Sequence, residues 1–546
     1  MTVGLSLLWD EDRLWDEAFD WLGTSYDAGL DRVNVVVVEV AAPDGTRWFS
    51  DGRWSDKYET LHADPRIGNE VRIQRRAALV FWGSGRAVYG VGSIELINDD
   101  GELDAWALSR LRRSVLRVYF GPDGVPLPAM VKVARALVDS IETVGESLVR
   151  VITRDAGAEL DIPVQTLTFT TAFQLGRLRP VLFGRCASVP AMQTSVDLHF
   201  TIHDSTAASS AGGFSYISEV TDRGVALTSG TQWSTSIGGE NIGFQLLQST
   251  AGRITCFAAG PSREFGVFQP SRLNWFIDAL LSLRLGWPQS RIDLAGLAAL
   301  SVETNAVLGR YVDSAVTYGQ ICTEVGDSFS GWWWIDFDGV FRLERWRSPA
   351  GTPVLELDST AWEGDLTVRF DKAPGLADAV LATRNWHVFS PGELADSVRD
   401  TAAGAALTRP YRTSNTFTVA DEYADARGAA GADRLDSATA GAGVSRPEVE
   451  SGMPTLLASG ANEAAHRQTL YGVPRYFYEC RALVDALDAI QLYPGDVARI
   501  THDRFGLDAG LLVRIVAVEF NLGDTAVDLV TWGGAPVIGG EKESKA

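Results

Sequence analysis

Residues 494–520 read Pro494-Gly495-Asp496-Val497-Ala498-Arg499-Ile500-Thr501-His502-Asp503-Arg504-Phe505-Gly506-Leu507-Asp508-Ala509-Gly510-Leu511-Leu512-Val513-Arg514-Ile515-Val516-Ala517-Val518-Glu519-Phe520. Val497, Arg499 and Thr501 alternate with Ala498 and Ile500, the period of a strand. Leu511 to Val518 is an apolar, largely β-branched run of strand length. Gly506 and Gly510 lie between the two runs, where positive φ costs glycine nothing. A turn at Gly523-Asp524 leads to a third strand, Thr525 to Trp532. The stretch is an antiparallel meander, and nothing in it resembles a catalytic loop.

Working outward, the same β signature fills the first third of the chain. Val35 to Val40 is β-branched apart from Glu39, and Asp44-Gly45 turns it onto Thr46 to Ser50. Glu70 to Trp82, Val88 to Ile97, Val115 to Phe120, Val131 to Thr143 and Leu148 to Thr153 read as further strands. Strands of this length and spacing indicate an antiparallel sandwich or barrel. Further on, Phe200 to Asp204 and Ile217 to Leu227 continue the pattern.

Two helices interrupt it. Leu273, Phe276, Ile277, Leu280 and Leu281 follow helical spacing over 272–285 behind Pro270-Ser271. Tyr318, Ile321, Cys322 and Val325 do so over 317–328. Next comes Gly331-Trp332-Trp333-Trp334-Ile335-Asp336-Phe337-Asp338-Gly339-Val340-Phe341-Arg342-Leu343, a strand, an Asp-Gly turn and a strand. Alternation puts Trp333 on the face opposite its two neighbours. Asp378 to Phe389 reads as a strand, Glu463 to Tyr471 as a helix and Tyr476 to Leu483 as a strand. Ala, Gly, Thr, Asp and Ser dominate 402–453, part of which reads as a long excursion, mobile or ordered by partners.

Composition narrows the function classes. A chain of 546 residues is too long for one core. Its net charge of −22 argues against gripping a nucleic-acid backbone. No apolar run reaches the roughly 18 residues of a membrane span. Leu5 to Trp9 is followed at once by Asp10, Glu11 and Asp12, unlike a signal peptide. Cys186, Cys256, Cys322 and Cys480 are far apart, so buried thiols are expected rather than zinc. Residues 1–28 mix Trp, Leu, Asp and Glu and suit an amphipathic arm that docks on a neighbouring subunit or on its own chain.

Signatures of catalysis are weak. His199 and His203 fall on one face of a strand, about two pleats apart, with no glutamate in register for a metal. Gly213-Phe214-Ser215-Tyr216 lacks the second glycine of a nucleophile elbow. Asp336-Phe337-Asp338-Gly339 begins like a calcium loop, but Val340 and Arg347 stand where oxygen ligands are needed. No catalytic, cofactor-binding or metal residue is therefore nominated, and no cofactor. The three tryptophans are read as core and subunit interface, with a sugar-stacking platform as the alternative.

Several passages resemble hub-type distal tail proteins of long-tailed bacteriophages and gene transfer agents. Gly90-Val91-Gly92-Ser93-Ile94-Glu95-Leu96-Ile97-Asn98-Asp99-Asp100-Gly101-Glu102-Leu103-Asp104 is similar to their GxGxIxLxNxDGxLD passage. Pro180 to Arg185, the Trp332–Leu343 hairpin, Asn385-Trp386 and the 494–520 stretch follow in the family's order. The resemblance implies a mainly β, multidomain fold with minor α: tail-tube-like antiparallel barrels or sandwiches plus small α+β peripheral domains. On that basis the chain divides into an arm (1–28), a tube-like domain (29–158), a loop-rich β-domain (159–268), an α+β domain (269–350), a second tube-like domain (351–480, with the 402–453 excursion), the closing meander (481–534) and a tail (535–546). The resemblance further implies a virion structural protein of the tail tip, assembled in the host cytoplasm. It would form a homotrimeric ring that continues the tail tube. Its partners would be distal tail and tube proteins, the tape-measure protein and tip or fibre proteins, and genome DNA would pass without specific binding. A carbohydrate-binding receptor protein and a cell-wall hydrolase are the competing readings.

Overall fold

The computed structural model describes residues 34–42, 45–52, 54–55, 61–77, 85–107, 111–204, 214–238, 241–250, 252–261, 272–358, 360–371, 379–420, 452–454, 456–457, 460–522 and 526–535. The 1–28 arm, most of the 402–453 excursion and nearly all of the 535–546 tail lie outside the described residues.

The fold is mainly β. One six-stranded sheet runs in the order Gly45–Ser50, Asn34–Ala42, Val115–Pro122, Val131–Val144, Leu148–Asp155, Ile94–Ile97. A larger sheet orders Leu355–Leu357, Val497–Ile500, Leu511–Asn521, Ala526–Gly534, Arg475–Leu483 and Thr367–Phe370. The meander read from 494–532 is its centre, with Val497 opposite Arg514 and Val518 opposite Leu529. Strand Arg72–Arg76, from the other end of the chain, also pairs with Leu511–Asn521, placing Ile73 opposite Phe520. Residues 351–480 and 481–534, consecutive along the chain, thus share one sheet, with strand Arg475–Leu483 crossing their boundary, and that sheet borrows a strand from 29–158. The two sheets bury one core between them, including Val36, Val38, Val118 and Val149 from one and Val513, Ile515, Val518 and Leu529 from the other.

The peripheral part holds two β-layers and a helical core. Val181–Pro190 lies between Ile254–Pro261 and Gly309–Val312. A four-stranded layer built on His199–Asp204 packs Phe200, Ile202 and Phe244 against it. The helix Tyr318–Ser328 begins with a capping box, in which Thr317 and Gln320 each satisfy the other's backbone amide. The 272–285 helix is corrected in detail: Leu273–Ile277 is α, and Asp278–Arg284 widens to a π-helix. Its start at Pro270-Ser271 lies outside the described residues. A helix not read from the sequence, Leu294–Thr304, is capped by Asp293 and ends on Asn305 in the left-handed region.

Other strand boundaries also shift. Val88 to Ile97 breaks into Val88–Val91 and Ile94–Ile97, which join different sheets. The strand expected over 378–389 ends at Arg384, after Thr383 takes a φ of 57°. Within the excursion, Ala402–Leu407 is a short helix and Tyr411–Thr416 a strand paired with Ala379–Arg384.

Candidate functional site on the closing sheet

One face of the large sheet supplies the shared core. The other face changes character along its length. At one end Phe477, Val516 and Trp532 sink into an aromatic cluster with Trp332, Trp334 and Trp346. Further along the same strands, Glu479 and Arg481, Asp528 and Glu519 meet solvent instead. Strand periodicity puts them on one face, and the register confirms it: Arg481 is opposite Asp528, Asp528 opposite Glu519, and Glu519 opposite Gln74. Arg72, Gln74 and Arg76 are exposed on the adjoining strand.

The charges on this open face are matched. Arg369 reaches Glu479 at 2.7 Å, Arg481 reaches Glu363 at 2.7 Å, and Arg72 pairs with Glu519. Asp528, Arg76 and Glu70, whose Oε2 accepts from Asn521 Nδ2 at 2.8 Å, also lie on it, so the two signs nearly balance. Exposed pairs contribute little to stability, typically below about 1 kcal/mol each. Their effect is to cancel the field that either set would project alone.

The tryptophan hairpin anchors the covered end. Gly331–Ile335 pairs with Phe341–Arg345, with Trp333 opposite Leu343. Trp333 enters the helical core, while Trp332 and Trp334 enter the aromatic cluster, as alternation requires. All three indoles are buried. A sugar platform on Trp332–Trp334 is therefore corrected: no ring face is open. At the turn, Asp336 Oδ1 accepts from the amides of Asp338 and Val340, and Oδ2 accepts from Arg342 Nε at 2.7 Å. Its oxygens are used to close the hairpin.

Buried cations tie the ends of the chain together. Arg75 Nη1 donates to the carbonyls of Ile490 and Leu492, and Nη2 donates to Val133 at 3.1 Å. Its guanidinium lies 4.3 Å from the Tyr493 ring centroid. A cavity beside it, lined by Tyr89, Trp334 and Tyr493, encloses only about 20 Å³. That is room for a single water, far below the roughly 300–1,000 Å³ of a small-molecule site. Burial pushes the Asp496 carboxyl up to about 6, against the Tyr493 amide and Arg514, which pull it down.

The histidines do not converge. A bulge between Thr201 and His203 breaks the alternation expected of this strand. His199 Nδ1 meets Ser236 Oγ at 3.3 Å, whereas His203 Nδ1 accepts from the Leu182 amide at 3.0 Å. Ser215 lies inside strand Phe214–Asp222, not on a strand-to-helix elbow. All four cysteines are buried free thiols whose pKa values burial raises. Among the described residues, no group of His, Cys, Asp and Glu could hold a metal ion, and no helix is long and apolar enough to cross a membrane.

The charge-matched face escaped sequence reading. Its members alternate legibly in each strand, but their adjacency depends on pairing between residues more than 400 positions apart.

Solved structures similar to this chain include tail proteins and a gene transfer agent virion chain. The tail protein from Neisseria meningitidis MC58 aligns over 91% of this chain and 96% of its own, at 11% identity and a TM-score of 0.36. The 43 kDa tail protein of prophage MuSo2 from Shewanella oneidensis aligns over 91% and 96%, at 10% identity and 0.32. A chain of the native gene transfer agent virion aligns over 42% of this chain and 81% of its own, at 10% identity and 0.17. No family model and no curated protein matches the chain.

Proposed function

We propose that this chain is a structural subunit of a phage-type tail, acting as a hub at the tail tip. Copies join into a ring, a homotrimer, that continues the tail tube. The open face of the closing sheet looks into the lumen. Peripheral β-layers hold distal tail proteins, the tape-measure protein and tip or fibre proteins. The chain works by assembly and not by turnover.

The observation that carries this reading is the charge-matched face formed by Arg72, Arg369, Arg481, Glu479, Glu519 and Asp528. A DNA conduit must neither grip nor strongly repel phosphates, because every neutralised phosphate releases counterions and adds affinity. Paired arginines and carboxylates present no net attraction. The sheet that bears them is closed by both ends of the chain, which keeps the wall intact under load.

Cryo-electron microscopy of the purified chain and of assembled tails tests the proposal. The expected result is a closed ring with Glu519 and Asp528 facing the channel. A persistent monomer, or a ring with that face turned outward, refutes it.

A further inference from the structure

A groove opens where strand Val181–Pro190 parts from Gly309–Val312 and meets the end of Ala379–Arg384. It encloses about 240 Å³ and is lined by Arg185, Phe257, Thr383, Arg384 and Trp386. The Arg185 guanidinium stands 5.0 Å from the Phe257 ring centroid, and that of Arg384 stands 4.4 Å from Trp386. On Trp386 the Arg310 guanidinium also sits, at 4.8 Å, but Arg310 is held by Glu324 at 2.8 Å. Arg185 and Arg384 are exposed and form no ion pair with any described residue.

Arg384 also feels the Glu324 carboxylate that holds Arg310, so among the described residues three guanidiniums, Arg185, Arg310 and Arg384, share one carboxylate at this crevice, an excess of positive charge that is unusual on a chain of net charge −22. Arg185 and Arg384 are each pre-oriented by stacking, which leaves the planar N–H edge for a carboxylate. The volume is below the range of small-molecule sites, so it suits a side chain on a polypeptide. Residues 1–28 have the complementary chemistry. Asp10, Glu11, Asp12, Asp16, Glu17 and Asp20 alternate there with Trp9, Trp15, Phe19 and Trp21, against a single Arg13. We propose that this acidic, tryptophan-rich segment docks in the groove, with carboxylates on Arg185 and Arg384 and an indole between Phe257 and Trp386.

The test uses the full chain with photoreactive benzoylphenylalanine in place of Trp15. The expected cross-links fall in 181–190 or 379–386. Their yield drops about tenfold in an Arg185→Glu, Arg384→Glu double variant, consistent with losing charge-assisted contacts, and drops again at high salt. A second variant, Asp10→Asn, Glu11→Gln and Asp12→Asn, alters none of the described residues and must lower the yield as well. Cross-links elsewhere, none at all, or a yield indifferent to both variants would overturn the proposal. So would cross-linking of the groove to residues 421–451 or to another tail protein.

Discussion

Nη2 of Arg345, on the tryptophan hairpin, lies 2.6 Å from Oε2 of Glu463, on the helix Ala461–Tyr471. Both side chains are withdrawn from water. Oε1 of Glu463 also accepts from Arg467 Nε at 2.6 Å and from Ser330 Oγ. One carboxylate therefore bridges two buried guanidiniums, of which Arg345 also lies 3.9 Å from Glu303. Removing one partner of a buried pair strands the other's charge, typically at about 3–5 kcal/mol. Glu463→Ala is expected to lose that much in urea denaturation. A loss below about 1 kcal/mol would show that the cluster does not hold the hairpin to the helix.

Trp333 is fully buried, and its Nε1 donates to Thr323 Oγ1 at 3.1 Å. Truncating a buried Trp to Ala typically costs about 3–5 kcal/mol. Trp333→Ala should show that loss, and Trp333→Phe a smaller one. Equal stability of the two variants would mean that cavity volume is not what the indole contributes.

Gly495 has a φ of 99°, and a Cβ there would sit 3.1 Å from Trp332 Cζ2 and 3.2 Å from Glu344 Oε2. Both strain and crowding oppose a side chain, since such backbone conformations cost roughly 1–3 kcal/mol. Gly495→Ala is expected to lower the melting temperature. An unchanged value would indicate that the Pro494-Gly495 turn relaxes freely against the hairpin.

Burial holds the pKa of His203 down, from 6.5 to about 4, although Asp204 pulls it back up. The folded state stays neutral at this site until about pH 4, while the unfolded state takes a proton from 6.5 downward. The stabilisation is thus complete above 6.5 and is lost as pH falls toward 4, amounting to roughly 3 kcal/mol. Asn at 203 could still accept from the Leu182 amide. The stability gap between the native chain and His203→Asn should narrow across that window in denaturation measured from pH 7 to 4. A constant gap refutes the shift.

If the ionic face lines a conduit, its carboxylates keep DNA from sticking. Glu479→Gln, Glu519→Gln and Asp528→Asn together leave Arg72, Arg369 and Arg481 unopposed by those partners. The triple variant should retard duplex DNA in gels, with affinity falling steeply as salt rises. The native chain should not. Retardation by both, or by neither, removes the reason for the paired charges.

Much of the local structure was legible in the residues. The β-branched run Leu511–Val518, the Asp-Gly turn at 338–339 and the helical spacing of Tyr318, Ile321, Cys322 and Val325 each bring their own backbone preference, so meander, hairpin and helix form where read. The opposed faces of Trp332 and Trp333 followed from pleat geometry alone. Less visible were features that depend on a neighbour. The bulge before His203 is imposed by pairing with Asn241–Leu246, and the break after Val91 by two sheets competing for adjacent strands.

The sequence by itself determined the β-rich class, the closing meander, the tryptophan hairpin and the opposed faces of Trp332 and Trp333, because these depend on periodicity and turn chemistry within a few residues. Only the tertiary structure decided that Ile73 lies opposite Phe520, that one core serves both ends of the chain, and that scattered Arg, Glu and Asp residues lie together on one open face. Pairing between distant strands is selected by burial of their shared apolar face, and no local pattern records which partner will cover it.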